Sequence, residues 1–134
     1  RKWQDMMSQC YIKKIEFVDP DFPPAPKSLG SQIEHAGRYE WSRLTDFRPR
    51  NGQWDVIGKE SKSRIKSDDI IQGELGDCWF LSALAVLAER QSVLEALFVT
   101  TEFNKIGSYQ IMFFKNGHWR SVTIDDKFPT NKWG

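Results

Sequence analysis

Gln72-Gly73-Glu74-Leu75-Gly76-Asp77-Cys78-Trp79-Phe80-Leu81 is the stretch on which the fold turns. Two glycines make a flexible loop, and the loop delivers a cysteine to the start of an apolar run ending at Glu89-Arg90. Asp77 is a suitable N-cap and Trp79 to Ala88 are strong or tolerable helix formers, so a helix is predicted over 77–90. Its apolar residues run nearly all the way round, the pattern of a helix buried in the middle of a domain. The first turn of a helix has unpaired N–H groups and the positive end of the macrodipole, which together stabilise a thiolate. A thiolate is the form of cysteine that attacks carbonyl carbon, so Cys78 is a candidate nucleophile. The side-chain amide of Gln72, six residues earlier, can fold back over the sulfur and, with the Cys78 N–H, donate to a developing oxyanion. A carboxylate beside a nucleophilic thiol opposes its ionisation, so Asp77 is expected to turn away and cap the helix. A buried structural cysteine at a helix start fits the same spacing, and spacing alone does not choose.

Working outward, Ser92 to Thr100 reads as a second, shorter helix. Beyond it, Tyr109 to Phe114 and His118 to Ile124 are aromatic and β-branched runs separated by Asn116-Gly117, a strong hairpin signal. Upstream, Ser31 to Ser67 is polar with interspersed aromatics and reads as loops and short strands. Four prolines between Pro20 and Pro26 fix φ and remove donors, so that stretch is extended or turning. It reads as a leader lying over the domain, with Phe17, Val18 and Phe22 anchoring it; a polyproline ligand for another module is the lesser reading. Trp3 to Lys14 suits a short helix. A helix followed by antiparallel strands gives an α+β class.

Composition narrows the function. Lys and Arg number 19 and Asp and Glu 18, a net charge of +1, so no global field or basic stripe recruits nucleic acid. The longest apolar run, Trp79 to Ala88, is too short for a membrane span. Only two cysteines, Cys10 and Cys78, are present, which points away from a disulfide framework and toward a reducing, cytoplasmic setting. The sequence opens without Met and stops at Trp133-Gly134 with no closing element, so it is expected to be a piece of a longer protein.

The stretch from Gln72 to Ala83 resembles the active-site cysteine motif of calpains, the papain-like cysteine proteases. Phe17 to Gly30 is similar to the leader of that family's catalytic domain, Trp41-Ser42-Arg43 resembles its Trp-x-Arg, and Asn116 to Asp126 resembles its hairpin ending in Val-Asp-Asp. Within the family, Gly76 to Arg90 is most similar to the small-optic-lobes branch. The resemblance implies the first subdomain of a papain-like α+β core, with a central buried helix and an antiparallel hairpin. Residues 1–15 would precede the core and 16–134 would form an incomplete catalytic domain. It implies an endopeptidase acting on protein substrates, with Cys78 as nucleophile, Gln72 in the oxyanion hole and no organic cofactor. It also implies Ca²⁺, with Asp69 matching a calcium-ligating acid, although a structural or solvent-facing Asp69 fits equally.

Papain-like enzymes place histidine and asparagine roughly 130–150 residues after the cysteine. Here 56 residues follow Cys78, and the two histidines are His35, before it, and His118, beside the hairpin turn. A histidine-before-cysteine order would need His35 and the Gln-Ala-Cys signature that accompanies it, which is absent. Two histidines and two distant cysteines also fail zinc-site spacing. The remaining half of the core is therefore expected elsewhere, and the piece alone is expected to be inactive. The rival reading is a catalytically inactive calpain-like domain serving as a binding or scaffolding module.

Overall fold

The computed structural model describes residues 2–31, 33, 36–49, 54–57, 67, 70–71, 73 and 75–131. Helix α1 spans Lys2–Lys13, strand β1 Glu40–Arg43, α2 Cys78–Ala88, α3 Gln91–Ala96, β2 Ser108–Lys115, β3 His118–Asp125 and β4 Lys127–Thr130. Short 3₁₀ turns stand at Pro26–Leu29, Ala36–Arg38 and Leu44–Asp46. Helices and small antiparallel sheets bear out the α+β class.

The hairpin forms as its sequence predicts. β2 and β3 pair antiparallel in full register from Ser108↔Asp125 to Lys115↔His118. Asn116 and Gly117 take φ of 52° and 78°, the two positive values that a tight two-residue hairpin turn requires. β1 and β4 make a second ribbon, joining residues about 90 apart in sequence, from Glu40↔Thr130 to Arg43↔Lys127.

The polar hub of the fold is Arg43, 5% exposed at the end of β1. Its guanidinium donates to the Asp126 carboxylate, itself 3% exposed, and to the Phe17 carbonyl at 2.5 Å, and its Nε lies 3.0 Å from Glu16. Beside it, the Asp19 N–H donates to Asp125 at 2.7 Å and the Phe17 N–H to the Ile106 carbonyl at 2.8 Å. These bonds pin the leader to the hairpin's base, as the sequence anticipates, but through backbone and ion pairs. The expected apolar anchors contribute less: Val18 and Phe22 stay exposed, and Phe22 reaches Trp41 only edge-on at 6.1 Å. Proline-rich backbone lacks donors and holds its side chains apart, so packing passes to the residues around it. α1 joins the same base, where the Trp3 indole donates to Ser108, whose side chain is fully buried.

The expectation of a buried central helix is corrected. In α2 only Ala88 is buried, and Trp79 is 74% exposed. Exposed Trp79, Ser82, Ala83 and Val86 recur at helical spacing and form one uncovered stripe, while Phe80, Leu81, Leu84 and Leu87 are half-buried. Phe80 meets Phe113 of β2 at 6.4 Å, and α3 packs on the helix's other end. All-round apolarity does not tell what covers each face, and in α2 one face stays uncovered.

Candidate active site

Gly76 and Asp77 turn the chain so that Cys78 is the first residue of α2. The Asp77 carbonyl accepts from the Phe80 and Leu81 N–H groups at 2.9 and 3.1 Å. The amides of Cys78 and Trp79 therefore have no acceptor within the helix. The Cys78 thiol is free and exposed, in contrast to the buried Cys10. A solvent-accessible sulfur at a helix start, beside two such amides, is suited to attack a carbonyl and to receive the negative oxygen that results.

Asp77 does not play its expected part. It holds the N-cap position, but its φ of −107° and ψ of 16° depart from the extended conformation of a capping residue, and its carboxylate makes no cap bond. Gln72 and Asp69 lie outside the described residues, as does His35. His118 is an exposed residue at the start of β3, as expected of a solvent-facing strand position. Among the described residues, no group of three His, Cys, Asp or Glu side chains could hold a metal ion.

Beside the Leu75–Asp77 loop lies a cavity of about 770 Å³. Gly76, Asp77 and Phe80 form one wall, the leader residues Phe22 and Leu29 a second, and Ile124 and Phe128 a third; Cys78 does not line it. Sequence reasoning missed the pairing of Arg43 with Asp126. Both stood in recognised motifs, but 83 residues separate them and no local pattern joins them.

Residues 17–133 match the description "Calpain family cysteine protease". The chain belongs to the calpain family of cysteine proteases. It is 36% identical to calpain-type cysteine protease ADL1 of Oryza sativa subsp. japonica over 123 residues, 88% of this chain and 6% of that protein. It is 36% identical to calpain-type cysteine protease DEK1 of Arabidopsis thaliana over 124 residues, 89% of this chain and 6% of that protein. With Calpain-8 of Rattus norvegicus it shares 32% over 136 residues, 96% of this chain and 18% of that protein. The chain thus spans under a fifth of the length of these relatives. The small-optic-lobes branch rests on the Gly76–Arg90 motif alone. Among the described residues, no helix is long and apolar enough to cross a membrane.

Proposed function

We propose that this chain carries the nucleophile half of a calpain-type endopeptidase active site. One observation carries the reading: Cys78 is an exposed free thiol on the first residue of a helix, in a chain of a cysteine protease family. The Cys78 thiolate attacks the scissile carbonyl carbon and the carbonyl π electrons move onto oxygen. The Cys78 N–H and the Gln72 amide donate to that oxyanion. The tetrahedral intermediate then collapses to a thioester, the C–N bond breaks and the amine leaves with a proton; water hydrolyses the thioester and restores the thiol.

The proton carrier is the part that this reading assigns to another subdomain, which would supply the histidine and asparagine. The uncovered stripe beside the nucleophile, Trp79, Ser82, Ala83 and Val86, is a suitable surface for that subdomain. Calcium enters through the family resemblance, with Asp69 as its candidate ligand, and the setting we assign is cytoplasmic. The scaffold alternative gains no specific observation.

The test uses the longer protein. Casein cleavage that disappears in Cys78→Ala, with the variant still folded, is the expected result. Cleavage that survives Cys78→Ala would remove the thiol from the chemistry, and an inert wild-type protein at any calcium level would favour the scaffold.

A further inference from the structure

The cavity beside the Leu75–Asp77 loop has no part in the protease chemistry, since Cys78 does not line it. At about 770 Å³ it falls within the roughly 300–1,000 Å³ of small-molecule sites, which join apolar walls to a few placed polar groups. Here Phe22, Leu29, Phe80, Ile124 and Phe128 supply the walls. Among the described residues, the charged lining is Asp19, Asp77 and Asp125 against Lys127, so it is net negative.

Asp19 is the lining carboxylate that the fold leaves incompletely paired. The residue is 7% exposed, and its Oδ1 accepts the Asp21 N–H at 2.9 Å. Its Oδ2 has no hydrogen bond or ion pair among the described residues. Neighbouring Asp125 is better served, because its two oxygens accept the Asp19 N–H at 2.7 Å and the Lys127 N–H at 3.0 Å. The Lys127 ammonium does not neutralise Asp19, for both salt bridges among the described residues belong to Arg43. A buried carboxylate without a full set of partners is costly, so the open oxygen favours a cation in the cavity. Among the described residues, no three His, Cys, Asp or Glu side chains converge to hold a metal. An ammonium needs only one carboxylate, and the carbon it brings can be covered by the apolar walls.

We propose that this cavity binds an organic ammonium, a protonated primary amine on an aromatic or branched apolar body, with Asp19 as its counter-ion. Dansylcadaverine serves as the probe, because it joins an aromatic ring system to a primary amine and its emission shifts to the blue in apolar surroundings. Titrating the chain with it, with its N-acetyl form and with dansyl-aminohexanoic acid separates charge from apolar contact. The amine is expected to bind about tenfold or more tightly than the acetylated form, and the acid should bind more weakly still. Asp19→Asn keeps an oxygen for the Asp21 N–H; it should abolish the preference for the amine and leave the affinity of the acetylated form unchanged. Phe128→Ala truncates a half-exposed wall residue and should weaken all three probes by about fivefold. In ¹H–¹⁵N spectra the Gly76 and Phe128 amides should shift as the amine saturates, and the Gly117 amide at the hairpin turn should not. Carbamidomethylation of Cys78 should leave the amine's affinity unchanged, so this site stands or falls apart from the protease reading.

Equal affinity for the three probes on the unaltered chain, a comparison that needs no variant to fold, would reduce the cavity to apolar surface and overturn the proposal. An Asp19→Asn chain, folded by far-UV circular dichroism, that still prefers the amine would overturn it as well. So would Gly76 and Phe128 amides that stay in place, or binding that is lost when Cys78 is blocked.

Discussion

Replacing Asp126 with alanine is expected to cost more stability than any other single carboxylate in the described fold. The carboxylate is almost wholly buried and faces the equally buried Arg43 guanidinium. Removing one member of a buried pair leaves the other charge desolvated, typically at 3–5 kcal/mol. Arg43 keeps the Phe17 carbonyl and a half-exposed Glu16, so the lower end, about 3 kcal/mol, is expected. At roughly 2.1 cal/mol/K of unfolding entropy per residue, that lowers the melting temperature by about 10 °C for a chain of this length.

Glu16 supplies the contrast, since it touches the same guanidinium from the surface. Glu16→Ala should lose no more than about 1 kcal/mol, as exposed pairs do. Urea unfolding followed by tryptophan fluorescence measures both, and an unchanged denaturant slope assigns the shift to stability. Arg43→Met together with Asp126→Leu should lose less than the sum of the single losses, because neither charge is then left alone. If Asp126→Ala and Glu16→Ala cost the same small amount, the buried pair is not what holds β1 and the leader to the hairpin, and the reasoning fails.

Three further outcomes follow from the same contacts. Brief iodoacetamide treatment of the folded chain should label exposed Cys78 well before buried Cys10, and urea should equalise them; mass spectrometry reads both. Burial raises the Tyr109 hydroxyl above its ordinary value, and nearby Asp126 adds to the shift while the Asn104 backbone and Arg43 oppose it. A raised folded value means stability is full below the unfolded value of about 10 and falls as pH climbs through the folded one. Tyr109→Phe should flatten that alkaline limb in urea titrations at stepped pH. In the longer protein, where the proposed cleavage is measured, Gln72→Ala should lower kcat by on the order of 10²–10³ with KM nearly unchanged, if its amide donates to the oxyanion. Wild-type kcat in that variant would take Gln72 out of the site.

What could be read from the sequence divides by the range of the interaction. Asn116-Gly117 announced its turn because both positive φ values are demands on those two residues, and a two-residue turn sets the register of the strands it joins. α1, α2 and α3 were legible for the same reason, as was Cys78 at the mouth of α2. Asp77 shows where even local reading stops: its type suits a cap, but the tight bend from Leu75 leaves it with a ψ near 16°, and no cap bond forms.

The long-range contacts were hidden because their chemistry is ordinary at each end. Arg43 among polar neighbours reads as a surface residue, and Asp126 reads as the second acid of a strand end. Only when β1 lies against β4, in register Arg43↔Lys127, does Arg43 come against the turn that holds Asp126. Gly107 records that meeting in its own position. Its φ is +70°, and a Cβ there would fall 2.5 Å from the Arg43 guanidinium and 2.9 Å from the Asp126 carboxyl carbon. The residue must be glycine both for its backbone and for the pair packed against it. One path from this hub to Cys78 runs from Asp126 along β3 to β2 and through Phe113 to Phe80, two residues into the helix. A second path runs from β2 back through the Met112 N–H bond to the Leu97 carbonyl and α3 to α2, so the accessibility of the Cys78 thiol should survive the loss of Asp126 wherever the hairpin itself remains paired.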